Sequence, residues 1–295
     1  MMSIHSLAKM MFGVMVLSLL YFNASIGSAQ GLLGDPSNVS GDLGGGSIHI
    51  GGGAVTKETL LFEKTTLNLM TTTETFVINL PEDTADIKAE EVFLAGEIGL
   101  GRMVDFWGKV GQSKIKGDGF ESSNSPSYSG GLRVSPPQEG LIRVGFLIQG
   151  SYVKAKDKDI EVLVSGNKPV GVGAAFFNGI GTGNDTLEIM RYDALLGFGM
   201  QGFKGIRPYA GLLYTRIDGN EKGSVQGQGT LSTCTPLCVD TTEAFSISWN
   251  QDFQSNQAIG GVAGFVLNPS EKTGITLEGH FGSQTAYMVA LFMKF

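Results

Sequence analysis

From Glu90 to Phe295 the chain repeats one pattern: apolar side chains at every second position, broken at intervals by glycine, proline and polar turn residues. A period of two is the signature of β-strands with one apolar and one mixed face, and it is incompatible with an amphipathic helix, whose apolar positions recur every three to four residues. In EEVFLAGEIGL, Val92, Leu94, Ile98 and Leu100 share a face, while Glu91 and Glu97 lie opposite with Phe93 and Ala95. In VDFWGKV, Asp105 and Lys109 oppose Val104, Phe106 and Val110; in LIRVGFLIQGSY, Arg143 opposes Ile142, Val144, Phe146 and Ile148. Further on, Arg191 and Asp193 oppose Met190, Tyr192, Leu196 and Phe198, and Glu278 and His280 oppose Ile275, Leu277 and Phe281. The 44 glycines and the 17% share of charged residues fit an all-β chain of strands and tight turns.

Such strands suit either a soluble sandwich or barrel with the apolar face turned inward, or a membrane barrel with that face on lipid. The connections decide between them. They alternate long and short: 70–88, 112–127, 156–185 and 219–254 are long, whereas GLGR, SPPQEG, FKGIRP and NPSEKT are short. Short turns on one side and long loops on the other are the rhythm of outer-membrane barrels. The sequence therefore predicts a transmembrane antiparallel up-and-down β-barrel of about ten strands, within a range of roughly 8–12.

The N-terminus reads as an export signal. Lys9 precedes the uncharged stretch Met10 to Phe22, and Gly27-Ser28-Ala29 supplies the small residues of a cleavage site. The expected organisation is a signal peptide over 1–29, a flexible Gly-rich lead-in over 30–54 that includes His49 and reads either as a periplasmic segment or as the weak start of a first strand, and the barrel over 55–295. The net charge of −7 argues against nucleic acid or anionic lipid as a partner, since either calls for clustered Lys and Arg. Export also makes a disulfide between the only two cysteines, Cys234 and Cys238, the expected state.

At the C-terminus, Tyr287, Val289, Leu291, Met293 and Phe295 form an apolar face that runs to the last residue. This resembles the terminal strand that the barrel-assembly machinery of Gram-negative bacteria reads. EEVFLAGEIGL then DFWGKVG, YDALLGFGM then RPYAGLLYTRIDG, and ITLEGHFGSQTAYMVALFMKF resemble the successive hairpins of small outer-membrane β-barrel or porin-like proteins. The resemblance implies a cell-outer-membrane location, lipid and the assembly machinery as partners, and a porin-like role in passing small solutes or ions. It names no surface ligand.

Candidate chemistry is sparse. His280 and Glu278 are two residues apart on the inward face, but no serine stands in a recognisable nucleophile context, so no enzyme is expected. GVGAAFFNGIGTG lacks the Lys-Ser/Thr pair and the helix of a phosphate loop. KDKDIE and GNDTLE read as solvated acidic loops, and the two cysteines lack the partners of a zinc site; neither metal nor cofactor is expected. The expected lumen lining is Glu91, Glu97, Asp105, Lys109, Arg143, Arg191, Asp193, Glu278, His280 and Lys294. Solvated, that set would line a narrow pore; locked into ion pairs, it would fill a closed barrel that acts through its surface loops.

Overall fold

The computed structural model describes residues 34–37 and 43–295, apart from 74, 118–119, 139, 171–172, 202–204, 235–236, 256–257 and 283. The expected signal peptide, residues 1–29, lies outside the described residues. Fourteen strands follow one another: β1 (Gly46–Phe62), β2 (Thr65–Thr71), β3 (Thr75–Leu80), β4 (Asp83–Gly99), β5 (Val104–Gly117), β6 (Phe120–Glu121), β7 (Ser125–Val134), β8 (Ile142–Val170), β9 (Gly173–Met200), β10 (Ile206–Cys234), β11 (Cys238–Ser255), β12 (Ile259–Leu267), β13 (Thr273–Phe281) and β14 (Gln284–Lys294). Ten of them close an antiparallel ring in the order β1-β4-β5-β7-β8-β9-β10-β12-β13-β14 and back to β1.

The ring's outward face is the apolar one. Leu94, Phe106, Ile148, Leu196, Leu212 and Leu291 all stand exposed on it. Tyr128, Tyr192, Tyr214 and Tyr287 project outward toward one end, where their rings can sit at a membrane interface. Beyond the tyrosines the outer surface turns ionic, with exposed pairs Lys57–Asp86, Lys154–Glu188 and Arg216–Asp218. The stretch from Tyr287 to Phe295 at the opposite rim matches the ~9–11 residues with which a tilted strand crosses hydrocarbon. The chain is a membrane-spanning β-barrel whose short turns, by the usual asymmetry, face the periplasm.

Two expectations are corrected. First, β1 begins at Gly46 and pairs with both β14 and β4, so residues 46–54 of the Gly-rich stretch, His49 included, are barrel wall and the start of a first strand. Second, most of the long connections are paired strand. β8 and β9 pair from Ile142↔Met200 to Val170↔Gly173 with one register shift between Lys158 and Ile160, β10 and β11 run up to Cys234↔Cys238, and the β2–β3 hairpin docks on β11 through Asn68↔Ser248. Above the membrane these form a six-stranded extension in the order β3-β2-β11-β10-β9-β8. Its alternation is visible in AFSISW, where Phe245, Ile247 and Trp249 point inward. The glycines of β10 disguise the partner strand, yet they make room for those rings. A Cβ at Gly223 would lie 2.0 Å from the Trp249 ring, and one at Gly219 would lie 2.1 Å from Phe253. The expected disulfide Cys234–Cys238 closes the tip of this arm.

Candidate functional site

The lumen is built in layers, and the strand period assigns each side chain to it. Seven of the ten expected lining residues meet as partners in ionic groups, and all ten lie on the inward face. Lys109 on β5 bridges Glu91 on β4, which also accepts a hydrogen bond from Ser127 Oγ of β7; the two charged groups are 3% and 2% exposed. Toward the periplasmic end, Arg133 Nη1 donates to Glu97 Oε1 at 2.7 Å, and His49 Nε2 lies 3.5 Å from Glu97 Oε2. Asp105 is wholly buried near this group, Lys294 lies over the Phe292 ring, and Arg143 is half-buried on β8.

The largest group centres on Arg191, which is fully buried. Its Nε donates to both oxygens of Asp193 at 2.8 and 2.9 Å, Nη1 to Gln284 Oε1 at 2.6 Å, and Nη2 to Thr215 Oγ1 at 3.2 Å. Glu58 Oε2 lies 3.4 Å from Nη1, and Gln149 Nε2 donates to Asp193 Oδ2 at 2.6 Å. One guanidinium thus ties β1, β8, β9, β10 and β14 together across the lumen. Gln284 extends the network downward, donating from Nε2 to His280 Nδ1 at 2.6 Å; His280 Nε2 then meets Glu278 Oε1, also at 2.6 Å. These contacts assign His280 the tautomer with its proton on Nε2. Glu278 Oε2 accepts from Tyr209 Oη and from the backbone N–H of Gly34.

That last contact belongs to a plug. Residues 34–37 lie buried inside the periplasmic end of the barrel. Ser135 Oγ donates to Ser37 O at 3.1 Å, and glycines on the wall receive the segment: a Cβ at Gly145 would sit 1.9 Å from Pro36 O, and one at Gly197 2.3 Å from Pro36 Cγ. A cavity of about 150 Å3 remains beside Asp35, Glu97, Arg133, Arg207 and Lys294. On the extracellular side the Arg191 group is roofed by an apolar layer that includes Leu60, Ile87, Ile115, Ile189, Ile217 and Phe253.

Sequence reasoning missed Glu58, Arg133, Gln149, Tyr209, Gln284 and Asp35. Arg133 was available from alternation, since it opposes Leu132 and Val134 on β7. Glu58 was not: a bulge between Val55 and Lys57 shifts the inward parity from odd to even numbers, so that Glu58 and Leu60 follow Val55 into the interior. Asp35 sits in a Gly-rich stretch without periodicity.

A second, larger space opens in the extension. Above Ser125, the upper end of β7, β8 continues beside β6 and β3, and a cavity of about 860 Å3 lies between them. Its floor is the apolar roof of the barrel, at Ile87 and Leu187; its ceiling is the core of the extension, at Leu67, Val164 and Ile247. Asp157, from the acidic KDKDIE stretch, and Asp185, from GNDTLE, face each other here across β8 and β9, and Glu221 of β10 joins them. Burial, then the neighbouring Glu221, push the Asp185 carboxyl up to about 8. Glu221 Oε1 also accepts from Trp249 Nε1 at 2.9 Å. The glycines of GVGAAFFNGIGTG that resembled a phosphate loop are strand residues of β9; Gly179 and Gly181 lie against the Phe245 ring.

No family model and no curated protein matches the sequence. Among solved structures, the chain is similar to the translocator domain of the autotransporter NalP from Neisseria meningitidis, with 9% identity over 99% of this chain and 96% of that one and a TM-score of 0.38. It is similar to the outer-membrane protease OmpT from Escherichia coli, with 8% identity over 87% and 97% and a TM-score of 0.37. It is similar to the outer-membrane protein OprG from Pseudomonas aeruginosa, with 11% identity over 88% and 99% and a TM-score of 0.27. At these TM-scores it is the strand pairing and the lipid-facing belt that identify an outer-membrane-type β-barrel.

Proposed function

We propose that the protein is an outer-membrane barrel, closed across the bilayer, that anchors and displays its extracellular β-extension. The observation that carries this reading is the Arg191 group. A guanidinium with no exposed surface, held by Asp193, Glu58, Gln284 and Thr215, is the interior of a filled barrel rather than the wall of a wet one. Ten strands stand near the size at which side chains alone fill the bore. The plug at 34–37 and the apolar roof close the two ends of the same column. A porin-like channel requires solvated lining charges, and the Glu91–Lys109 pair offers none. Both ring nitrogens of His280 are engaged within the lumen, so the reading assigns it no enzymatic step.

In this reading the partners are outer-membrane lipid around the belt and the barrel-assembly machinery, which would recognise the outward face of Tyr287, Val289, Leu291, Met293 and Phe295; all five point away from the lumen. Recording from the purified protein in a planar bilayer tests the closed lumen. The expected result is no stepwise current; reproducible single-channel steps that vanish without protein would restore the porin-like reading.

A further inference from the structure

We propose that the side cavity of the extension binds a small organic cation with an apolar body, such as an aromatic or alkyl ammonium, between the aromatic rings of Phe62, Phe120 and Trp249 and the carboxylates of Asp157, Asp185 and Glu221. The inference is independent of whether the lumen below conducts, because an apolar layer separates the two.

Three features converge on that ligand class. The first is size: about 860 Å3 lies within the ~300–1,000 Å3 typical of small-molecule sites. The second is lining chemistry. Rings from β1, β6 and β11 and aliphatic side chains such as Leu67, Ile78 and Leu187 give the space an apolar side, which favours an apolar body, and aromatic faces also attract cations when water is excluded. Trp249 is the best such face, and it is fixed in place by its hydrogen bond to Glu221 and by the bare backbone of Gly223 behind it.

The third is charge. In the lumen Glu91 and Asp193 are answered by the chain's own cations, Lys109 and Arg191. In the cavity the charged neighbours that act on Asp185 are themselves acids, Glu221 and Asp157, which add to burial in raising its carboxyl. Lys116, the one lysine among the described lining residues, is paired with Glu121. A ligand ammonium would supply the missing countercharge, while an anionic ligand would meet a field of its own sign. The cavity, between β8 and the β3 to β6 side, is part-open to the medium.

The test uses the full-length protein in zwitterionic nanodiscs, with benzyltrimethylammonium as the probe and phenylacetate and benzyl alcohol as its anionic and neutral counterparts. Of the chain's two tryptophans, Trp107 lies in the membrane lumen, so the Trp107→Phe variant reports on Trp249 alone. Benzyltrimethylammonium should change that emission saturably, at least tenfold more tightly than benzyl alcohol, and phenylacetate should give no response above empty nanodiscs. Calorimetry on the wild type provides the same comparison without any variant. Asp185→Asn with Glu221→Gln, which keeps a carbonyl acceptor for Trp249, should weaken the cation at least tenfold. Equal binding of the three probes, no saturable binding of the cation, or unchanged affinity in the double variant would each overturn the proposal.

Discussion

The two halves of the molecule use their interiors differently. Within the membrane the outer face is apolar and the interior carries arginine, lysine, histidine and carboxylates beside an apolar cluster; in the extension the interior is packed with Leu69, Phe76, Phe177, Val225 and Phe245. The same alternating strand, β9, serves both: Arg191 and Asp193 point inward at one level, Phe177 and Ala175 at the other. The comparison teaches that a strand's period settles which residues share a face, while the surrounding solvent settles which face carries the apolar set. It also teaches that the two interiors are stabilised differently. The lumen depends on the pairing of buried charges such as Arg191 with Asp193, and the extension depends on apolar burial.

The sharpest way to break the comparison is to remove one charge from the lumen. Arg191→Ala leaves Asp193 and Glu58 buried without their shared cation, a loss of roughly 3–5 kcal/mol. In urea titrations followed by gel mobility of the refolded barrel, the unfolding midpoint should fall for the whole protein. If it does not move, water reaches the guanidinium and the filled-lumen account is wrong.

A change of similar chemical size in the other half should act locally. Phe245→Ala empties the centre of the extension core, where the ring packs against Phe177 with centroids 5.3 Å apart, at a cost of about 3–5 kcal/mol to that core. Limited proteolysis should then cut β2–β3 or the β10–β11 arm while the membrane ring keeps its heat-modifiable mobility. Joint loss of both would mean that the halves fold as one unit.

The smallest effect is the most diagnostic of how charge is treated. Asp185 faces Glu221 from β10 and Asp157 from β8, with the Lys116–Glu121 pair across the cavity. Its carboxyl is raised from 3.8 to about 8 in the fold, so folding favours the protonated form. The contribution is intact below pH about 4 and is lost as pH rises toward 8, the reverse of a salt-bridged carboxylate. The extension should become easier to digest across that window, and Asp185→Asn should flatten the dependence. A stability that instead rises through the window would show an unseen cation at the site.

Much of the barrel was legible because lipid enforces strict alternation: the period-two runs and the short turns identified the ring and its lumen side. The extension was hidden because Gly219, Gly223, Gly227 and Gly229 interrupt the pattern that a larger side chain would have continued, so β10 from Gly219 onward reads as loop. Their partners Phe253 and Trp249 carried the signal, but strand pairing 30 residues apart is not a local property. The lining charges were legible one by one, whereas their assembly was not. Nothing local in the sequence marks the one-residue bulge that brings Glu58 to Arg191, or a plug at Asp35 and Pro36 whose receptor is a set of bare backbones on β8 and β9.

The short β13–β14 hairpin has a geometric consequence for traffic. Because that hairpin ends at Phe281 and Gln284, β11 can lean over it and pair with β1 through Leu60↔Ser255, and the wall loses members as it rises, from ten strands in the bilayer to six above it. A barrel's bore scales with its strand number, so the molecule is shaped like a bottle with its neck toward the outside. With the neck packed by aromatic rings, anything arriving from the medium along the axis meets a stopper, and the large cavity lies at the shoulder, beside β8.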